Sequence, residues 1–216
     1  MIHTTQGTIS ADKKGHLLLA ACNATQPGVF SLSSWDLVGA LPIAAESVAE
    51  RIEDGDYRWI NRGGVDLMGS NPKAQQSKFG LRHAETLYGP LGEQLRDSNS
   101  FAMQLGRMLK ARKKYDIAQG KLLAVPKVEH PAVCILVMQA PGPHIAMVTA
   151  MNFSNKPVQE HVDMSTINGL RREKLAGSLF DIVTDERIGK LSSAAHMTID
   201  LPALTARTIL IDRVSN

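Results

Sequence analysis

The chain contains two tryptophans, and each has a charged residue close by. Trp35 precedes Asp36 within Gln26-Pro-Gly-Val-Phe-Ser-Leu-Ser-Ser-Trp-Asp-Leu-Val-Gly-Ala-Leu-Pro42, and Trp59 lies three residues before Arg62. A planar ring next to a carboxylate or guanidinium offers an apolar face beside a hydrogen-bonding group, which is the chemistry of binding more than of bond breaking. Each pair also has a plainer reading. Trp35 packs under its loop while Asp36 caps the next turn, and Trp59 forms a surface stack with Arg62. The other chemistry-bearing residues form no pattern. The seven histidines are scattered without an i, i+4 pair or a cysteine at ligand spacing, so no metal site is expected. Gly63-Gly64 lacks the Lys and Ser or Thr of a phosphate loop, and the serines have no triad context.

Positioning Trp35 and Asp36 requires an element that ends just before them. Pro27-Gly28 is a turn signal, and residues 29–33 are small and mostly apolar, as in a strand buried on both faces. In barrels of alternating strands and helices, substrate and chemistry lie just past the carboxyl ends of the strands. A helix capped by Ser10 precedes this segment, with Leu17, Leu18, Ala21 and Cys22 as its buried stripe. A second helix is predicted at 43–53, from Ala45, Val48, Ala49 and Ile52 on one face. Residues 54–90 show no sustained period and are broken by glycine and proline, a long loop suited to binding. Asp97 or Ser98 caps a third helix, with a stripe of Phe101, Leu105, Met108 and Leu109. Its cations Arg107, Lys110, Arg112, Lys113 and Lys114 read as a solvated face that favours the negative end of the helix dipole.

Beyond Gly120 the pattern becomes that of short strands, at 121–125, 132–138, 145–153, 158–162, 179–183, 197–201 and 208–211. Such spacing argues for an antiparallel β-sandwich. The expected organisation is therefore α/β followed by all-β, with residues 1–117 as one part and 118–216 as a sandwich domain.

The composition, 44% hydrophobic and 21% charged, is that of a globular protein, and a net charge of +3 is too small to imply nucleic acid or an anionic membrane as partner. Cys22 and Cys134 sit far apart in apolar runs and read as reduced core residues of a cytoplasmic protein. No signal peptide or membrane-length apolar run is visible.

Three segments, residues 26–42, Asp54-Gly-Asp-Tyr-Arg-Trp-Ile-Asn-Arg-Gly-Gly-Val-Asp-Leu-Met-Gly-Ser-Asn-Pro72 and Leu87-Tyr-Gly-Pro-Leu91, occur in an order that resembles the last part of the trehalose synthases. These maltose α-D-glucosyltransferases belong to the α-amylase clan of glycoside hydrolases. The chain departs from the pattern at Ser34, where a glycine is expected. The resemblance implies the last strand and helices of a (β/α)8 barrel followed by an antiparallel β-sandwich. It implies an enzyme that interconverts maltose and trehalose by retaining intramolecular transglucosylation without a cofactor. In such enzymes an aspartate nucleophile and a glutamate acid stand about 5 Å apart. On this resemblance the catalytic carboxylates lie before Met1, so the chain alone is expected to be inactive. Trp35 would stack on a glucose ring, Asp36 would accept its hydroxyls, and Trp59, Asn61 and Arg62 would belong to a water-excluding lid. The expected partners are maltose or trehalose and the remainder of the barrel. A lone barrel strand also exposes its edges, which implies self-association or poor order in the first hundred or so residues. Two other readings are an α-glucan-binding or complementing module and the end of a sister clan glucosidase or transglucosylase. No Trp, and no Tyr after Tyr115, is present in the predicted sandwich to form a stacking platform, which weighs against the module.

Overall fold

In the carboxyl-terminal half, alternating apolar residues build strands that must bury at least one face. The computed structural model describes residues 6–52, 55–142, 144–170, 175–191 and 195–213. Among these the strands are β1 (Lys121–Ala124), β2 (Val133–Gln139), β3 (Ala146–Asn152), β4 (Val158–Asp163), β5 (Gly177–Asp181), β6 (Glu186–Leu191), β7 (His196–Leu201) and β8 (Thr205–Arg213). They form a six-stranded sheet of order β1-β2-β3-β8-β5-β6 and a two-stranded sheet β4-β7, with every pairing antiparallel. In register, Cys134 faces Met151, Val148 faces Ile209 and Val162 faces Met197.

The side-chain alternation explains the layering. Val133, Ile135, Val137, Ala146, Val148, Ala150, Ile209 and Ile211 form one buried cluster with Val162, Met197, Ile199 and Leu201 of the small sheet. The intervening residues Met138, Met147 and Leu210 belong to a second cluster with Ala111 and Ile117. The central strands are thus covered on both faces. For this reason all seven residues of β3 are buried and read as an unbroken apolar run instead of an alternating one.

The helices are α1 (Gln6–Ala24), α2 (Ser34–Val38), α3 (Leu91–Gln94) and α4 (Phe101–Lys114), with 3-10 turns at Ala45–Arg51, Tyr57–Arg62, Ile117–Gln119 and Met164–Thr166. The chain divides into two compact units, residues 1–31 with 105–216 and residues 32–104. In the first unit α1 lies against β8 and buries Leu17, Leu18, Ala20, Ala21 and Ala24. Arg112 of α4 is also buried. Its guanidinium donates to the carbonyls of Ala24 and Gln26, each at 2.6 Å, and to that of Gly28. The second unit has a small core of Ile43, Val48 and Leu81, packed by Ile52, Trp59, Ile60 and Ala84. No described helix is long and apolar enough to cross a membrane.

Several expected elements take other forms. The barrel strand predicted at 29–33 is not formed: the segment lacks strand pairing, and Val29 is 92% exposed. Apolar residues alone do not make a strand without a neighbouring ladder to satisfy the backbone. The second helix shrinks to the 3-10 turn Ala45–Arg51, with Val48 at φ −131°, because no side chain caps its start and a segment of seven residues does not offset the cost of helix nucleation. Its predicted end at Glu53 lies outside the described residues. Ser10 falls inside α1, whose first described residue is Gln6. Ser100, not Asp97 or Ser98, accepts from the Met103 amide at the start of α4. The strand β6 had no counterpart in the sequence pattern.

Candidate functional site

Ser33 and Asp36 are spaced as a capping box, and they close one. The Ser33 hydroxyl accepts from the Trp35 amide at 3.2 Å, while the Asp36 carboxylate accepts from the Ser33 amide at 3.1 Å. This fixes the first turn of α2 and therefore the direction of Trp35. The helix stops at Gly39, whose φ of 61° is left-handed and whose missing side chain leaves room for the Tyr88 ring. The Trp35 indole Nε1 donates to the Gly63 carbonyl at 2.8 Å, and the residue remains 38% exposed. Its polar edge is thus satisfied by backbone while part of the ring meets solvent.

Gly63 directly follows the turn that carries Trp59 and Arg62, so one hydrogen bond joins the short helix of Trp35 and Asp36 to the end of that turn. Asp56 begins that turn by accepting from the Arg58 amide at 3.1 Å, and it also pairs with the Arg58 guanidinium at 2.6 and 2.8 Å. Those bonds, led by the Arg58 side chain, lower the Asp56 carboxyl from 3.8 to about 2 and raise Arg58. The Trp59 ring has two cations over it, Arg62 at 4.6 Å and Arg51 at 5.1 Å, while packing against the Ile43–Val48–Leu81 core. Both plainer sequence readings therefore describe real contacts, the cap at Asp36 and the stack at Trp59. Neither contact consumes the exposed part of Trp35.

A cleft of ≈ 430 Å³ opens in the same unit. Leu41, Pro42, Ile43 and Ala44 form an apolar wall, and Gln75, Arg82, His83 and Glu85 form a polar one. None of Trp35, Asp36, Trp59 and Arg62 lines it. Sequence reasoning missed this cleft because its polar residues stand in the aperiodic segment, although Arg82-His-Ala-Glu85 is a dense polar group beside the buried Leu81. It also missed Gln94, which is buried. The Gln94 amide donates to the carbonyls of Leu37 and Gly89, and its oxygen accepts from the Ala102 amide. Among the described residues, no three His, Cys, Asp or Glu side chains are grouped as metal ligands.

No family model matches the sequence, and no curated protein matches it. Solved structures do. Amy13B of Eubacterium rectale superposes with a TM-score of 0.62 at 17% identity, over 94% of this chain and 35% of that one. AmyP E221Q in complex with maltotriose gives 0.56 at 16% identity, over 94% and 35%. The α-amylase from H. orenii gives 0.53 at 12% identity, over 95% and 37%. The fold neighbours are α-amylase-clan glycoside hydrolases. At these identities the likeness is one of fold, and the chain spans about a third of the length of each neighbour. The neighbouring regions are of the α-amylase carboxyl-terminal type, which agrees with the antiparallel sandwich described above.

Proposed function

We propose that this chain is the carboxyl-terminal part of a trehalose synthase, a cytoplasmic enzyme that interconverts maltose and trehalose. The observation that supports it most strongly is the shared fold over 94% of the chain, joined to the three ordered sequence segments that resemble that family. In this reading residues 1–117 are the last part of the catalytic barrel and 118–216 the sandwich that buttresses it. The catalytic carboxylates come from the remainder of the barrel. An aspartate attacks C1 of the non-reducing glucose, the C1–O bond breaks, and a glutamate gives its proton to the departing oxygen. The released glucose stays in the site, and its anomeric hydroxyl then attacks C1, returning a proton to the glutamate and freeing the aspartate.

This chain contributes the pocket wall. Trp35 offers its exposed ring to a sugar face, Asp36 holds the turn that aims it and accepts a sugar hydroxyl, and the Arg62-capped Trp59 excludes water beside it. Exclusion of water matters because water and glucose compete for the same covalent intermediate.

The test uses the complete reading frame that contains this chain. The full product, incubated with maltose, is expected to form trehalose without a cofactor, as followed by proton NMR. Residues 1–216 alone are expected to leave maltose unchanged. A full product that hydrolyses α-glucan and makes no trehalose, or turnover by 1–216 alone, would overturn the reading.

A further inference from the structure

We propose that the cleft between residues 41–44 and 75–85 is a binding site for a neutral mono- or disaccharide. Its walls are preformed. The Leu41 amide donates to the Glu85 carbonyl at 2.8 Å, and the His83 amide donates to the Gln75 carbonyl at 3.1 Å. Arg82 and Ala84 are tied to Gly64 through backbone bonds of 2.8 and 2.9 Å. These bonds hold three chain segments in register without a regular sheet, so a ligand would meet a fixed shape and would not have to order a loop.

The glycines beneath explain how the segments come so close. A side chain on Gly63 would lie 2.6 Å from Ile43 Cγ2 and 2.9 Å from Ala84 Cβ, and one on Gly64 would lie 3.0 Å from both Ser77 and His83. The cleft's volume of ≈ 430 Å³ falls in the roughly 300–1,000 Å³ range of small-molecule pockets.

The lining selects the ligand class. Arg82 supplies donors only, Glu85 acceptors only, Gln75 both, and His83 one of each when neutral. An anion would be repelled by Glu85 and a cation by Arg82. A polyhydroxylated molecule with no net charge can donate to the one and accept from the other, and the apolar face of its ring fits the Leu41–Ile43 wall. No Trp, Tyr or Phe ring lines the cleft, so binding is expected in the millimolar range. The choice of glucosyl sugars as probes rests on the function proposed above, whereas the site itself rests on the cleft's chemistry.

The experiment is a titration of the 15N-labelled chain, residues 1–216, with maltose, trehalose and glucose in turn, with sodium glutamate as a charged control. Saturable shifts are expected at the amides of Leu41, His83 and Glu85 with at least one sugar, and none with glutamate. Glu85→Ala and Gln75→Ala are each expected to weaken the sugar about fivefold, the loss of one hydrogen bond. Both side chains are exposed, so the two variants should keep the parent spectrum elsewhere. Absence of saturable shifts with all three sugars, equal shifts with glutamate, or variants that bind as tightly as the parent would overturn the site. Sugar binding by a chain whose full-length enzyme makes no trehalose would keep the cleft and remove the isomerase reading.

Discussion

Arg112 shows how a buried charge escapes a reading based on residue type. It stands within the run Arg107 to Lys114, whose other cations are exposed as expected, yet only 9% of Arg112 meets solvent. Its three carbonyl partners come from the segment that ends α1, so it caps the carboxyl terminus of one helix from the flank of another. The signal was present in the spacing. Positions 101, 105, 108 and 112 continue one helical stripe, and the charge at the fourth position concealed it. Arg112→Met would keep much of the volume and leave carbonyls without donors, so a destabilisation of about 3 kcal/mol is expected in urea unfolding. Arg112→Lys should recover only part of it, because an ammonium lacks the planar fork that reaches several carbonyls at once. Lys113→Met, on the exposed side, should change little.

A second residue-scale test concerns Asp56. The bonds from Arg58 lower its carboxyl to about 2, so the folded pKa lies below the ordinary value of 3.8. A depressed carboxyl stabilises the fold above the unfolded pKa, and that contribution is lost as pH falls through about 2. The effect on stability should be small and weakened by salt, because Asp56 and Arg58 are solvated. Carboxyl 13C titration should nevertheless place Asp56 at about 2, below the ordinary carboxylate value of 3.8, and Arg58→Ala should raise its midpoint toward that value. An Asp56 midpoint unchanged in that variant would show that the pair does not persist in solution.

Element type was legible where burial is one-sided. Met197, Ile199 and Leu201 alternate with His196, Thr198 and Asp200, and β7 follows that period residue for residue. It was less legible where pairing decides. Residues 29–33 have strand composition and no ladder, whereas Glu186–Leu191 has weak strand composition and gains its ladder as the edge partner of β5. The candidate site divides in the same way. The cap at Ser33–Asp36 follows from local spacing, while the Trp35–Gly63 bond and the polar cleft depend on contacts across tens of residues. Gly177 makes the same point for the sheet. A side chain there would run into the Asp212 backbone carbonyl of β8, which cannot move without breaking the ladder. Gly177→Ala is therefore expected to cost about 2–3 kcal/mol in urea unfolding and to raise amide exchange in β5 and β6. Gly106→Ala, with open space at that position on α4, should be neutral or slightly stabilising, separating the clash from the general effect of removing a glycine.

At the scale of the whole molecule, the eight described strands lie between Lys121 and Arg213, but the layer that covers one face of their sheet comes from earlier in the chain. Ala111 of α4 and Ile117 pack with Met138, Met147, Ile182 and Leu210, and α1 lies against β8. Residues 118–216 alone would keep the inner cluster between the two sheets and lose the cover over the methionine face. An apolar sheet face of that kind invites association. The isolated piece is therefore expected to show β-rich circular dichroism and yet to self-associate, as seen by sedimentation. A variant in which a short Gly-Ser linker replaces residues 32–104 restores α1 and the end of α4 to the same unit, and it should be monomeric with a higher unfolding midpoint. Equal stability and equal monomer fraction in the two proteins would show that the helices are passengers on a self-sufficient sandwich. The expected difference would instead make the helical layer part of the β domain's own core. On the function proposed here, the sheet would then share one packed layer with α1 and the end of α4, the flanking pieces of the barrel's last part.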